Sequence, residues 1–348
     1  MFFSSDNWAG AAPEVIEAIA RANEGYAPAY GDDPLSERVM AKFSEVFEHA
    51  CTVFFVTTGG AANSLALSTL TPPYGMVLCH DGSHVQTDEC GGPEFFTGGA
   101  KIVGVQGQDG KITPDSLTKT LTEFPQHPPH SPPPSAITIT QGTECGTLYD
   151  LEEIAAIGAF ARENNLHLHM DGARFANAVA SSQATPAELT WKAGVDVLSF
   201  GGTKNGCIAA EAVVFFNQDC VKDFEYRRKR AGHLWSKSRY IAAQFDAYLN
   251  DELWLKLAGH ANQMATKLSN GLAAFNEVEV CYPTQINEVF AAMPPDAANG
   301  MRKQGAVFYP WTMPGDEYGG RMNRMIASFR TTEEDVDAFL ELARINLT

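Results

Sequence analysis

The feature that most limits what this chain can fold into is an alternation of short apolar runs with amphipathic stretches between residues 52 and 216. The apolar runs are rich in β-branched residues and nearly free of charge, which is typical of strands buried on both faces. We expect strands at 52–56, 76–79, 100–105, 136–140, 166–170, 195–200 and 212–216, with helices such as 61–70 and 151–164 between them. The pattern predicts an α/β fold with a mainly parallel sheet covered by helices.

The chain changes character after residue 218. Residues 219–272 have mostly helical spacing, and beyond residue 278 short strands alternate with helical stretches near 295–304 and 332–345. We therefore expect a large domain over residues 1–250, including an N-terminal arm, and a small α+β domain over residues 251–348. A proline-rich segment at 127–134 lacks the N–H donors of a helix or central strand and should be a connection.

The charge balance excludes several classes of partner. A formal net charge of −17 and a pI near 4.9 repel nucleic acid and anionic membranes. No stretch approaches the roughly 18 apolar residues that span a bilayer, and the first residues lack the basic and apolar regions of a secretory signal. The seven cysteines are scattered, and no H-E-x-x-H spacing is present. We expect a cytoplasmic protein with reduced thiols, a small-molecule substrate, and no nucleic-acid, membrane or metal partner.

Polar residues gather where the predicted strands end, which is where ligands bind in open parallel sheets. After the first strand, residues 57–63 (T-T-G-G-A-A-N) form a small turn that enters a helix, and its backbone N–H groups suit a phosphate. An ordinary tight turn has the same composition. His84 follows the second strand, and its imidazole can stack on a planar cofactor, transfer a proton, or serve the structure alone.

Further along, charged residues stand alone in apolar surroundings. Asp171 ends a buried strand, where it can keep a pyridine nitrogen protonated or cap the next helix. Arg174 can bind a substrate carboxylate through two hydrogen bonds or pair with an acid. Lys204 is the single charge between residues 197 and 210. A lysine amine in such surroundings becomes a nucleophile toward aldehydes, unless it lies exposed at the tip of a loop.

The order of these residues is the one found in fold-type I enzymes of pyridoxal phosphate (PLP). It is a glycine turn, then a histidine, then a strand-end aspartate and, 33 residues later, a lysine. Over essentially its whole length the sequence resembles the low-specificity threonine aldolases of the β-eliminating lyase group. The resemblance is carried by S-D-N at 5–7, Y-G-D-D at 30–33, the turn at 59–63, H-V-Q-T-D-E-C at 84–90, T-I-T-Q at 138–141, H-M-D-G-A-R-F-A-N-A at 169–178, E-L-T-W-K-A-G at 188–194 and F-G-G-T-K-N-G at 200–206. The D-G-A-R and T-K-N-G stretches are specific in combination.

The resemblance implies an aspartate aminotransferase-like large domain and a carbon–carbon lyase that uses PLP to cleave L-3-hydroxy-α-amino acids to glycine and an aldehyde. It also implies a homodimer or homotetramer with shared active sites. For the cofactor, the resemblance implies a Schiff base at Lys204, a contact to the pyridine nitrogen from Asp171, stacking by His84, and further contacts from Gly59, Gly60, Ala61, Arg174 and Thr203. For the substrate, it implies that Ser5, Arg174 and Arg324 bind the carboxylate and that His130 lies near the β-hydroxyl. It also implies that Tyr30 and Arg239 contribute from a neighbouring subunit.

Several alternatives stay open at this point. The family usually has threonine where this chain has Gly60, and the lost hydroxyl removes one hydrogen bond to a charged acceptor, worth about 1.5–3 kcal/mol. Arg321 competes with Arg324 for the substrate carboxylate, and His84, His130 or a water held by them can be the base. A different PLP reaction (a lyase, racemase or aminotransferase) and a non-catalytic binding protein are the alternative functions.

Overall fold

The sheet predicted from the alternation is the frame of the large domain. In the computed structural model, which describes residues 1–124, 127–315 and 317–347, seven strands form one sheet in the order β1-β7-β6-β5-β4-β2-β3. The strands are β1 (Thr52–Val56), β2 (Met76–His80), β3 (Lys101–Val105), β4 (Pro134–Thr140), β5 (His167–Gly172), β6 (Val197–Gly201) and β7 (Glu211–Phe215). Strand β7 pairs antiparallel with β1 and β6, and the other pairings are parallel. The predicted α/β class and mainly parallel sheet are confirmed.

Helices cover both faces of this sheet. The α-helices of the described residues are, in chain order, α1 (Pro13–Ala22), α2 (Pro34–Val46), α3 (Gly59–Leu70), α4 (His84–Thr87), α5 (Gly92–Thr97), α6 (Pro114–Glu123), α7 (Leu151–Glu163), α8 (Phe175–Ser181), α9 (Phe224–Arg230), α10 (Arg239–Tyr248), α11 (Leu253–Leu272), α12 (Pro295–Lys303) and α13 (Glu333–Asn346). The last three contribute to the core of a second, smaller sheet. Val53 and Phe55 of β1 lie in one core cluster, whereas Phe54 and Val56 lie in another. Because successive side chains of a strand point to opposite faces, the two clusters are the two covered faces.

A second, smaller sheet follows in the chain. Its antiparallel strands are β8 (Glu279–Val280), β9 (Glu288–Ala292), β10 (Tyr309–Pro310) and β11 (Met322–Ile326), in the order β10-β11-β9-β8. This sheet packs with α11, α12 and α13 around its own core, to which Phe3 of the N-terminal arm also contributes. The small α+β unit therefore has the predicted character, and the boundary near residue 250 stays a prediction.

The topology brings several strand ends to one edge of the large sheet. β1, β2, β4, β5 and β6 all end there, and β7 begins there with Glu211 because it runs the opposite way. Thr140 is paired with Asp171, which in turn is paired with Ser199. Among the described residues, no helix is long and apolar enough to cross a membrane.

An aromatic cluster supports this edge from one face of the sheet. Phe43 is fully buried, and its ring lies 5.2 Å from Phe200 and 5.3 Å from Phe245, both in edge-to-face geometry. Phe200 lies in β6 and stands four residues before Lys204. The packing of these rings therefore determines where the chain leaves β6.

Replacing Phe43 by alanine should lower the free energy of unfolding by about 3–5 kcal/mol, because the surrounding rings cannot collapse into the space of a phenyl group. Phe43→Leu retains most of the volume and should cost below about 1.5 kcal/mol. Urea unfolding followed by circular dichroism measures both variants. A loss below about 1 kcal/mol for Phe43→Ala would show that the cluster is not tightly packed.

Candidate active site

A cavity of about 290 Å³ opens at the edge where the strands end. It brings together residues that the sequence singled out separately, namely Gly59, Gly60, His84, Asp171, Arg174, Thr203 and Lys204. It is also lined by Asn7, Thr57, Thr58, Asn63, Thr140, Gly142, Glu144, Ala173 and Glu211. The convergence of a lysine, carboxylates and an imidazole in one partly buried space is the arrangement expected of a reactive site.

One end of the cavity is the N-terminus of α3. Thr58 caps this helix, and its Oγ1 accepts a hydrogen bond from the N–H of Ala61 at 3.3 Å. Ala61 is thereby used by the cap, and Gly59 and Gly60 line the cavity. A side chain at Gly59 would meet open space, since nothing lies within 4 Å of an ideal Cβ there. Backbone N–H groups at the positive end of a helix, beside such a space, suit a phosphate.

The carboxylate of Asp171 is held at the middle of the cavity. Its Oδ1 accepts from the N–H of Ala173 at 2.9 Å, and its Oδ2 accepts from Nδ2 of Asn63 at 2.8 Å. The next helix, α8, begins at Phe175 and has Arg174 at its N-cap, so Asp171 does not cap it. Two hydrogen bonds orient this buried carboxylate toward a further partner.

His84 belongs to a chain of three side chains beside Asp171. Its Nδ1 lies 3.0 Å from Oε1 of Glu89, and Asn63 donates to the same oxygen at 2.8 Å. This hydrogen bond raises the pKa of His84, and burial raises the pKa of Glu89. When the ring is neutral and Nδ1 donates to Glu89, Nε2 is left as a proton acceptor.

Glu144 is the buried acid beneath His84. Its Oε1 accepts from the backbone N–H of His84 at 2.7 Å and from Oγ1 of Thr140 at 3.0 Å, whereas Oε2 is buried without a hydrogen-bond partner. Burial raises the pKa of Glu144 to about 7, and it likewise raises that of Glu211 to about 7. Both acids can therefore exchange a proton near neutral pH.

Arg174 lies at the other end of the cavity between two carboxylates. Its Nε and Nη2 donate to Asp6 at 2.8 and 3.2 Å, and its Nη1 lies 3.2 Å from Oε2 of Glu288. Burial raises the pKa of Asp6, but the nearby charges of Arg174 and Lys204 outweigh it, so that this pKa is lowered. The guanidinium is thus fixed in direction by the N-terminal arm and by β9.

Arg324 of β11 is not part of the cavity lining, but it lies near enough to Glu288, Arg174 and Asp6 for their charges to act on it. Its guanidinium lies 3.7 Å from the ring centroid of Trp311, its Nε is buried without a hydrogen-bond partner, and burial lowers its pKa.

Arg321 is exposed, and its Nε donates to the carbonyl of Tyr318 at 3.2 Å. Ser5 is outside the lining of the cavity, where its Oγ accepts from the N–H of Asn7 at 3.1 Å.

His130, Tyr30 and Arg239 are not brought to the cavity within one chain. His130 lies on an exposed turn four residues before β4, and this seven-residue strand separates it from the cavity edge by about 20 Å. Tyr30 donates its N–H to the carbonyl of Ser236 at 2.9 Å, and Arg239 begins α10 nearby. Tyr30 and Arg239 therefore share one surface outside the cavity lining.

The chain matches one protein family over most of its length. Residues 3–294 match the model of a family described as beta-eliminating lyase. The chain belongs to the beta-eliminating lyase family. It is 46% identical over 342 residues to the low specificity L-threonine aldolase of Pseudomonas aeruginosa, a match that covers 98% of this chain and 96% of the relative.

Solved structures with the same fold include two informative cases. A threonine aldolase of Leishmania major matches with a TM-score of 0.92 at 26% identity over 99% of both chains. The aspartate aminotransferase of Thermus thermophilus matches with a TM-score of 0.68 at 16% identity, covering 97% of this chain and 89% of that one. The second match concerns the fold alone, and it confirms the aspartate aminotransferase-like architecture.

In this beta-eliminating lyase, the site contains residues that sequence reasoning did not single out. Glu144 and Glu211 had a usable signal, because each is a lone acid in an uncharged run next to a strand, as Asp171 is. His233 had none, although its Nδ1 lies 3.1 Å from Oγ1 of Thr57 beside the glycine turn. Glu288 depends on the packing of the small sheet against the large one, which no local pattern encodes.

Proposed function

We propose that this protein is a PLP-dependent aldolase that cleaves L-3-hydroxy-α-amino acids such as threonine, allo-threonine and phenylserine to glycine and an aldehyde. The observation that carries the proposal is one cavity whose lining includes Lys204, Asp171, the helix N-terminus at Gly59 and Arg174. Arg324 lies close enough to Arg174 for the two charges to interact. The high identity to a threonine aldolase over nearly the whole chain narrows the reaction to carbon–carbon cleavage rather than racemisation or transamination.

The residues present fit PLP. The helix N-terminus at Gly59 and Gly60 would hold the phosphate, and the fixed carboxylate of Asp171 would contact the pyridine nitrogen. Lys204 and Thr203 follow β6 at the opposite wall, so that the amine of Lys204 can hold the cofactor's aldehyde covalently. When bound, PLP supplies an aldehyde for the substrate amine and an electron-withdrawing ring that stabilises charge at Cα.

Substrate orientation is assigned to the arginines. The guanidinium of Arg174 already pairs with the carboxylates of Asp6 and Glu288. The Nε of Arg324, by contrast, is buried without a hydrogen-bond partner. Arg324 is therefore the principal group for the substrate carboxylate, with Arg174 and Ser5 beside it. A carboxylate held by these arginines would fix the orientation of the amino acid's Cα–Cβ bond, which cleavage requires.

Proton transfer is assigned to His84 through Nε2. Glu89 fixes the ring by accepting from Nδ1, which keeps Nε2 as the acceptor that takes the β-hydroxyl proton. Glu144 supports the backbone of His84 and, with a pKa of about 7, can pass the proton onward. His130 lies too far along its own chain for this role, so a part for it requires a second subunit.

The active unit is a homodimer or homotetramer in this proposal. Tyr30 and Arg239 lie on one surface of the chain, where the ammonium of Lys229 stands 5.2 Å from the Tyr30 ring centroid. Nε atoms of Arg227, Arg228 and Arg239 are buried there without hydrogen-bond partners. These arginines can bind the cofactor's phosphate in the active site of a second copy of the chain, related by a two-fold axis.

A reducing, cytoplasmic setting is the last part of the proposal. Cys79, Cys145 and Cys207 are buried as thiols at separate places in the fold. Burial raises the pKa of Cys79 and of Cys145 to about 12, so neither is an activated nucleophile. Thiols used as small apolar core residues are typical of reducing compartments.

Replacing Lys204 by alanine should abolish the visible absorption band of the bound cofactor and lower turnover at least about a hundredfold, because the covalent attachment and its amine are lost. Absorbance and aldehyde release measure the two effects. Lys192→Ala is the matched control, since that lysine pairs with Glu48 on the surface. A folded Lys204→Ala protein with full activity would contradict the assignment.

Glu89→Gln should move the acidic limb of the kcat/KM profile to lower pH. The base must be neutral, Glu89 raises the pKa of His84, and removal of this charge lets the ring stay neutral in more acidic solution. Asp88→Asn is the control, because Asp88 is the adjacent carboxylate and its Oδ2 accepts from Oγ1 of Thr87 at 2.9 Å rather than from His84. A limb that does not move, or that moves upward, would exclude His84 as the group that titrates.

Gly60→Thr should tighten PLP binding by about tenfold or more, because a hydroxyl here adds one hydrogen bond to a charged acceptor. The position has room, since an ideal Cβ would lie 3.7 Å from its nearest neighbour, Oε2 of Glu89. Gly60→Val has the same shape without the hydroxyl and should not tighten binding. Equal cofactor affinities of the two variants, measured by equilibrium titration, would refute a role for the hydroxyl.

Light scattering of the active protein should give a mass of at least twice the 37.7 kDa of one chain. The reason is that Tyr30 and Arg239 can serve a site only in a second copy. Arg239→Ala should weaken PLP binding without changing the mass. An active species at the mass of one chain would overturn the shared-site proposal.

A further inference from the structure

Three potential metal ligands meet at the edge of the large sheet opposite the active-site cavity. His167 begins β5, Asp196 stands directly before β6, and Cys220 lies in the short helix Gln218–Val221 that follows β7. Because β5 and β6 are parallel and β7 runs antiparallel to them, two strand beginnings and one strand end come together. His167 is four residues before Asp171, so this cluster is about 13 Å from the cavity.

Two of the three distances within the cluster match a tetrahedral metal centre. Nδ1 of His167 lies 3.6 Å from Oδ2 of Asp196 and 3.6 Å from Sγ of Cys220, and the three ligand atoms all lie within 4.8 Å of one another. Zinc bonds of about 2.0 Å to nitrogen or oxygen and about 2.3 Å to sulfur, at tetrahedral angles, separate such atoms by about 3.3–3.6 Å. An N···O hydrogen bond would be shorter, at roughly 2.7–3.2 Å.

The carboxylate is already oriented toward this point. Oδ2 of Asp196 accepts from the N–H of Leu168 at 2.9 Å, and Oδ1 accepts from Nδ2 of Asn217 at 2.8 Å. Hydrogen bonds of this kind fix the direction of a ligand before the ion arrives. Cys220 is only 4% exposed, and this burial keeps its thiol in one position.

The donor set selects the class of ion. Thiolate, imidazole and carboxylate together suit zinc and similar transition-metal cations, whereas calcium and magnesium prefer oxygen alone. A surface recess lined by His167, Asp196, Asn217 and His49 adjoins the cluster and gives an ion and a water molecule access. His49 is not a fourth ligand here, because its Nε2 lies 3.3 Å from the carbonyl oxygen of Phe216.

We propose that His167 Nδ1, Asp196 Oδ2 and Cys220 Sγ bind one zinc-class divalent cation, with water as the fourth ligand. The ion would join the beginnings of β5 and β6 to the segment after β7 and would stabilise the sheet without taking part in turnover. This site is independent of the proposed aldolase reaction. The sequence predicted no metal because the ligands come from three separate elements and form no short motif.

Binding displaces protons from the ligands. The imidazole of His167 can coordinate through Nδ1 only when that nitrogen carries no proton. The thiol of Cys220 must lose its proton as well. The affinity for the cation therefore increases with pH, and acidification releases the ion.

Metal content of the PLP-loaded full-length protein tests the proposal. After incubation with excess Zn²⁺ and gel filtration, mass spectrometry should find about one zinc per chain. Cys220→Ser and His167→Gln should retain little zinc and bind it at least about tenfold more weakly in competition with a chelator. Cys51→Ser and His49→Gln are the matched controls and should retain the ion. Equal zinc content in all four variants, or no zinc in the unmodified protein, would overturn the proposal.

Substitution with Co²⁺ gives a second test that does not depend on the stability of the variants. Tetrahedral Co²⁺ with a thiolate ligand produces charge-transfer and intense d–d absorption, which a difference spectrum of the unmodified protein should show. The charge-transfer band should disappear in Cys220→Ser and persist in Cys51→Ser. A Co²⁺ spectrum of the unmodified protein without a thiolate band would contradict the site even if the variants fail to fold.

Discussion

The guanidinium of Arg174 connects three segments of this molecule. It follows β5 of the large sheet, and it bonds at once to Asp6 of the N-terminal arm and to Glu288 of β9 in the small sheet. The side chains of Asp6 and Glu288 are 2% and 1% exposed and that of Arg174 is 12% exposed. Loss of Arg174 would leave two buried carboxylates without their cation, and breaking a buried pair in this way typically costs about 3–5 kcal/mol. The cavity, with Lys204 and Asp171 on its walls, exists where these three segments meet.

The opposite edge of the sheet has a different character. There His167 and Asp196 stand at strand beginnings and Cys220 follows the end of β7, whereas His84, Asp171 and Lys204 stand at or just beyond the strand ends of the other edge. Helix N-termini point toward the active-site edge, which places the positive ends of their dipoles beside an anionic cofactor. The same parallel topology thus concentrates reactive groups at one edge and leaves the other for groups that stabilise the sheet.

Much of the architecture could be predicted because it depends on local patterns. The apolar runs located the strands of the large sheet, and lone charges at strand ends located Asp171 and Lys204. The pairing of His84 with Glu89 could not be predicted, because it depends on a short helix followed by a turn at Cys90, whose φ is 52°. The contact of Arg174 with Glu288 depends on domain packing, and Tyr30, Arg239 and His130 lie outside the cavity lining of one chain.

Carbon–carbon cleavage in the cavity is tested by the product balance. The purified protein is incubated with L-threonine or phenylserine, and glycine, aldehyde, ammonia, 2-keto acid and D-amino acid are quantified. An aldolase should give equal amounts of glycine and of acetaldehyde or benzaldehyde, with none of the other three products above background. Ammonia with a keto acid, or D-amino acid without glycine, would show that the same residues carry out elimination or racemisation instead.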